Sequence, residues 1–287
     1  MQFEDDLFAL SFCRQLSPHV LRMVARVGME QRNPDLWTCL QAVGLTESQM
    51  TALTTELKTP WVQQQVALNY EVNHLVLTQE TYPSQLREIY AAPVVLYYRG
   101  DLSLLTTPQL AVVGSRQMSQ YAKMAMEHLL PPVIEQGITI VSGLAKGVDA
   151  WSHQLAMQHG GHTIAVIGSG LDVTYPHQHR LLQEQLAQQQ LLITEYPLQT
   201  PPKAQHFPAR NRIIAGLCST CLVVEGKQKS GSLITANQAL QENRNVIAVP
   251  GDIDRKTSVG TNELIAAGAK PVLTSDDILE EFSMRSR

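Results

Sequence analysis

Ile138-Thr139-Ile140-Val141-Ser142-Gly143-Leu144-Ala145-Lys146-Gly147-Val148-Asp149 runs from β-branched residues through a glycine turn into a helix start. The segment 149–158 that follows is amphipathic at helical spacing, and Thr163-Ile164-Ala165-Val166-Ile167 is again short and apolar. Strand, helix and strand in so few residues make one β-α-β passage. The same rhythm extends in both directions. Apolar runs at 74–78, 94–98, 110–113, 191–194, 221–224, 246–249 and 272–274 alternate with amphipathic helices such as 121–130, 179–188 and 233–242. Nearly continuous apolar strands separated by helices predict a mostly parallel sheet covered on both faces. The class is α/β, and residues 67–287 are expected to form a Rossmann-like, doubly wound domain.

Residues 1–66 have another texture. A helical segment spans 5–16, Ser17-Pro18 starts a second through 27, and Asn33-Pro34 opens a third. Thr46, with Glu47 and Gln49 behind it, caps a fourth, and Pro60 starts a fifth. This predicts a small all-helical domain, either a folding cap for the larger one or a partner-binding module.

Composition narrows the function classes. The 287 residues are 44% apolar and 17% charged, ordinary for a folded chain, and the net charge is −4. An anionic partner must therefore meet a local basic patch, not a field over the whole molecule. The four cysteines, Cys13, Cys39, Cys218 and Cys221, include one C-x-x-C but no second pair at zinc spacing, so no metal is expected. No secretory leader and no apolar span of about 18 residues occurs, which leaves a cytoplasmic protein and no membrane partner as the expectation.

Ligands of open parallel sheets bind outside the carboxyl ends of the strands. Five such exits carry glycine: Gly114-Ser115-Arg116, Ser142-Gly143 through Gly147, Gly168-Ser169-Gly170, Gly226 leading to Ser230-Gly231-Ser232, and Pro250-Gly251. Glycine admits close approach of a ligand to the backbone, and serine places a hydroxyl beside helix-terminal N–H groups. Phosphate recognition is the reading for Gly114, Gly143, Gly168, Ser169, Gly170, Ser230, Gly231 and Ser232. Ser115 and Ser230 also fit plain N-caps. Arg116 opposes the helix dipole at a helix start and so calls for an anion or a carboxylate. Asp149 either caps its helix or receives Arg116, and His153, one turn on, reads as a packed histidine.

Phe207-Pro208-Ala209-Arg210-Asn211-Arg212-Ile213-Ile214-Ala215-Gly216-Leu217 adds a ring, an amide and two guanidiniums at a helix mouth. Ile213, Ile214 and Leu217 form its buried stripe, and Arg210 shares their face. Arg212 lies about 200° round from Arg210, so the two cations differ in role. From Tyr196 to Val224 there is no acidic residue, while Lys203, His206, Arg210 and Arg212 are present. Donors, cations and a stacking ring suit a phosphate and a base. The rival reading packs Phe207 in the core and pairs the arginines with Glu195 or Glu225.

Several cofactors are excluded by pattern. Gly168-Ser169-Gly170 lacks the third glycine of a dinucleotide fingerprint, where Val173 stands, and no P-loop is present, so no cofactor is expected. Pro250-Gly251 with Gly260-Thr261-Asn262-Glu263 resembles the signature of lysine-decarboxylase-like phosphoribohydrolases. In it Asp252 takes a glycine position and Glu263 falls one residue early. A nucleoside-monophosphate phosphoribohydrolase is thus the alternative.

Taken together, these motifs resemble the DprA/Smf family of DNA-processing proteins. The resemblance runs from Thr78 to Phe282, through Tyr82-Pro83, Gly114-Ser115-Arg116, Ser142-Gly143 to Asp149, Gly168 to Asp172, Tyr175-Pro176, Phe207 to Leu217, Ser230 to Ala236, Pro250-Gly251 and Gly260 to Ile265. It implies a non-catalytic protein that binds incoming single-stranded DNA in natural transformation, protects it, and helps load the RecA recombinase. It further implies a homodimer, a sterile-alpha-motif-like (SAM-like) N-terminal domain, and a DNA pocket at Ser115, Arg116, Lys203, Phe207, Arg210, Asn211 and Arg212. His177, a candidate phosphate contact, stands where relatives often carry a cation, so that edge is expected to be weaker or pH-dependent. The winged-helix domain that follows in many relatives is expected to be absent.

Overall fold

The computed structural model describes residues 2–31 and 35–283. Five helices come first: α1 Gln2–Leu10, α2 Pro18–Met29, α3 Leu36–Ala42, α4 Glu47–Leu57 and α5 Pro60–Tyr70. Ser17, Asp35, Thr46 and Thr59 cap the last four, each accepting from a first-turn N–H, and Thr46 with Gln49 completes a capping box. The helix start at Asn33-Pro34 falls outside the described residues; Asp35 is the cap. α1 stops at Leu10, earlier than the apolar spacing suggests. There the Ser11 hydroxyl takes the Phe8 carbonyl, and the Glu56 carboxylate takes the N–H groups of Arg14 and Gln15.

The rest alternates: β1 His74–Val76, α6 Ser84–Glu88, β2 Val95–Gly100, β3 Gln109–Val113, α7 Gln120–Glu135, β4 Thr139–Ser142, α8 Val148–Gln158 and β5 Thr163–Val166. Then come α9 Arg180–Gln189, β6 Leu191–Thr194, α10 His206–Leu217, β7 Thr220–Val223, α11 Gly231–Gln241, β8 Asn245–Ala248, α12 Val259–Ala266, β9 Lys270–Pro271 and α13 Ser275–Ser283. One sheet holds all nine strands in the order β1-β2-β6-β5-β4-β3-β7-β8-β9. The β1–β2 and β2–β6 pairs are antiparallel and the rest parallel. This is the Rossmann-like α/β architecture with a helical N-terminal region. Because successive strands run outward from β3 to β6 and then resume on its other side at β7, the order reverses between β3 and β7.

Two segments depart from the periodicity. The last strand is Lys270–Pro271, two residues early. Val272 still donates to Ala248 O, but the Leu273 and Thr274 N–H groups bond the Asp277 carboxylate, which turns the chain into α13. α7 continues through Pro131-Pro132 because Val133 and Ile134, beyond them, are buried in the core.

Side chains alternate across the sheet with period two. Ala111, Val113, Val141 and Cys221 face one core, and Leu110, Val112, Ile140 and Leu222 face the other beneath α7, α8 and α13. The first core is continuous with the N-terminal helices. Phe8 stacks on His74 at 4.4 Å and meets Tyr97 edge-on, and the buried Asn69 Oδ1 accepts from Leu198 N at 2.7 Å. All four cysteines are buried and unpaired. No helix among the described residues is long and apolar enough to cross a membrane.

His153 is fully buried between α8 and β5. Thr163 Oγ1 donates to Ile140 O at 2.7 Å, so the contact of 2.6 Å makes His153 Nδ1 the donor to that hydroxyl. Its Nε2 is buried without a partner. Burial, and next the Arg210 charge, lower the imidazole to about 3. A histidine kept neutral in the fold contributes stability above its unfolded pKa of about 6.5, and that contribution fades as pH falls below it. Chemical denaturation is therefore expected to show about 1–2 kcal/mol lost between pH 7 and 5, a slope that His153→Gln flattens. An unchanged slope in the variant would place the titration elsewhere.

Candidate functional site

The carboxyl ends of β3, β4, β5 and β7 open on one edge, and two cavities sit there. The larger, about 500 Å³, lies at the reversal between β3 and β7. Gly114, Ser115 and Arg116 line one side, Ser230, Gly231 and Ser232 the other, and Phe207, Arg210 and Asn211 close it from α10. The smaller, about 130 Å³, lies over the β4 and β5 exits, between Gly143, Gly168, Ser169 and Tyr175. Arg116, Phe207 and Arg210 belong to both walls.

Phe207 is half-buried, with Tyr175 at 5.4 Å on one side, and the Arg116 guanidinium sits over its ring at 5.5 Å. Arg116 is exposed and makes no ion pair among the described residues. The loop that carries it is braced from below. Val148 N donates to Ser115 O at 3.2 Å, and Gly147 takes a positive φ of 76° where a Cβ would strike that same carbonyl. Ser115 is no N-cap. α7 begins at Gln120 with Ser119 capping, and the Ser115 hydroxyl instead accepts from Gln117 N at 3.1 Å. Ser230 occupies the N-cap position of α11 without capping it, since its hydroxyl meets Ser232 Oγ at 2.8 Å.

Arg210 is not an exposed cation at a helix mouth. α10 already starts at His206, whose ring is hydrogen-bonded to Gly168 O at 3.1 Å and stacked on Tyr196. Arg210 therefore lies one turn inside, 3% exposed, and its Nη1 donates to the carbonyls of Gly143 and Val166. Gly143 is required by this contact, because a Cβ there would fall on the guanidinium. Burial lowers the guanidinium to about 10, with nearby Asp149 opposing the shift, so it stays charged at neutral pH. Burial in turn raises the Asp149 carboxyl, while Arg210 and the N–H groups of Ala145 and Gly143 pull it down.

Arg212 points the other way. It pairs with Glu195 and lines a separate crevice of about 140 Å³ with Arg22, Phe12 and Leu16. Glu225 takes Ser119 N at 3.0 Å rather than an arginine. Lys203 is exposed on the loop before α10, His177 is exposed beside Tyr175-Pro176, and Gly170 is buried with its N–H on Thr200 O; none of the three lines either cavity. Two lining residues escape a reading by motif: Lys227, one residue past the β7 exit glycine, and Gln117, next to Arg116. The strand-exit rule alone points to Lys227. Glu263, the hydrolase candidate, bonds Gln228 on α12's outer side and also lines neither cavity. Among the described residues no cluster of three His, Cys, Asp or Glu side chains is placed to hold a metal ion.

The family model of DNA recombination-mediator protein A matches residues 73–283. DNA processing protein DprA of Streptococcus pneumoniae is 48% identical over 206 residues, which are 72% of this chain and 73% of that one. The X-ray structure of DNA processing protein A from Streptococcus pneumoniae superposes with a TM-score of 0.88 at 37% identity, covering 97% of both chains. The DNA processing protein A of Helicobacter pylori, whose structure concerns its single-stranded DNA binding mode, superposes with a TM-score of 0.66. It is 29% identical and covers 76% of this chain and 99% of that one.

Arg210→Met leaves two carbonyls and the Asp149 carboxylate without their cation. It is expected to cost about 3 kcal/mol, a melting point lower by on the order of 10 °C. A thermal melt within a degree or two of the parent protein would show that Arg210 is no brace.

Proposed function

Because the chain belongs to the DNA recombination-mediator protein A family, we propose that it binds single-stranded DNA along the trough at the strand exits. On this reading it shields the strand, helps load the RecA recombinase during natural transformation, acts as a cytoplasmic homodimer and catalyses no reaction. The single-stranded DNA binding mode of the Helicobacter pylori relative supports the choice of polymer.

The contact of Arg116 with Phe207 carries the reading. It puts an exposed cation beside a half-exposed ring on the ridge between two cavities, so a strand crossing the ridge meets charge for a phosphate and a face for a base. Stacking accepts any base, and backbone N–H and serine groups fix phosphates without reading sequence. Lys227 and Lys146, at opposite ends of the trough, extend the charge. Lys203, exposed on the loop before α10, would join it, and Asn211 would hydrogen-bond a sugar or base. Arg210 and Arg212 serve beneath and behind the groove. Few phosphate contacts give modest affinity, which two pockets in a dimer raise by avidity.

Arg116→Ala is expected to weaken binding of a short single-stranded oligonucleotide and to flatten the log–log salt slope by about 0.7, one phosphate. Fluorescence anisotropy at several salt concentrations reads both. An unchanged slope would remove Arg116 from the phosphate path. Phe207→Ala is expected to cost about 1–3 kcal/mol with the slope preserved. A steeper or shallower slope there would mean that the ring orders cations instead of stacking a base.

A further inference from the structure

We propose that the larger cavity is a nucleoside 5′-monophosphate pocket in its own right, so that free mononucleotide competes with the strand. The inference rests on the single-stranded DNA reading and adds a second ligand class to the same site. A surface that only tracks a sugar–phosphate backbone needs a shallow trough and a row of cations. Here a cavity of about 500 Å³ sits at the topological reversal, and it falls in the range that encloses small ligands.

Its two ends differ in chemistry. At one end the Gly114-Ser115 turn faces the start of α11, a helix of 11 residues. The Ser230 hydroxyl is turned onto Ser232 rather than onto the helix N–H groups. A Cβ built on Gly231 meets nothing within 4 Å. That end offers serine hydroxyls, helix-terminal donors and open space, with Arg116 and Lys227 on the rim: a cradle for one phosphate. The other end is the α10 floor. There Arg210, 3% exposed, keeps its Nε without a hydrogen-bond partner, and the Asp149 carboxylate and Asn211 amide line the same wall. Val113, Ile214 and Phe207 supply apolar surface between the ends. A phosphate suits the cradle, a hydroxyl-bearing ring the Asn211 amide and a flat base the Phe207 face, while the buried Arg210 stays beneath them. Recognition is thereby concentrated on one nucleotide, and a free monophosphate can use all of it. Phosphodiester hydrolysis is the reaction class that releases this ligand, so strand degradation would supply a competitor for the binding site.

The test is displacement of a short fluorescent oligonucleotide from the whole protein by deoxyadenosine 5′-monophosphate, deoxyadenosine and inorganic phosphate, each alone. The monophosphate is expected to displace at a concentration at least about tenfold below either fragment. Gly231→Val puts a side chain into the cradle from a Cβ that meets no protein atom within 4 Å, so it is expected to raise that concentration about tenfold at an unchanged melting temperature. If the oligonucleotide binds but the monophosphate displaces it no better than its fragments, the pocket is overturned and the strand reading stands. Displacement unaltered by Gly231→Val would overturn the pocket equally. If the oligonucleotide itself fails to bind, the strand reading falls, and calorimetric titration of the monophosphate decides the pocket alone. Release of free adenine would overturn it in favour of turnover.

Discussion

A guanidinium sealed against two backbone carbonyls organises this site. Arg210 reaches from α10 to Gly143 O and Val166 O, and so ties one helix to the ends of two adjacent strands. Carbonyls at strand ends normally find water or a following helix turn; here a buried cation takes them. A charge held out of water is tolerated only when it is thoroughly partnered. The Asp149 carboxylate beside it, itself held by loop N–H groups, supplies the counter-charge. From the helix anchored in this way Phe207 reaches both cavities and Asn211 the larger one. Pre-positioning of this kind lowers the ordering cost that a flexible loop incurs on binding.

Most of the architecture could be read in advance, because strands buried on both faces announce themselves as apolar runs and α/β connections place helices between them. The sites of failure were polar and local. Ser11 and Glu56 end α1, and Asp277 ends β9, each by capturing backbone groups that the apolar pattern assigns to regular structure. Such competition depends on which side chain is near in space, and apolar periodicity carries no record of it. Pro131-Pro132 shows the converse, where burial of Val133 and Ile134 outweighs a local stop signal.

The site was legible in kind more than in role. Glycine at a strand exit marked every loop that lines the two cavities, since close approach of backbones needs it whether or not a ligand follows. The two arginines were the ambiguous case. Their separation of about 200° on one helix required different environments, yet charge and spacing could not say which faced water. The answer lies in partners distant in sequence: Gly143 and Val166 for Arg210, and Glu195 for Arg212.

This division bears on how a chain of net charge −4 would meet a polyanion. The cations of α10 are consumed in holding the structure: one beneath the trough, the other in the crevice toward the N-terminal helices, where Arg22 and Glu195 also lie. On the proposed strand-binding reading, contact with phosphate would fall to Arg116, Lys146 and Lys227, which stand on loops following strands and carry no buried partner. A cation on such a loop is hydrated and free to shed counterions when an anion arrives, which is what makes phosphate binding favourable and salt-dependent. A buried cation has neither property. Counting arginines near a pocket therefore overstates its affinity for phosphate; counting those that remain hydrated does not. By that measure the proposed recognition of a strand rests on few charges, well spaced, with the aromatic ridge between them supplying what charge does not.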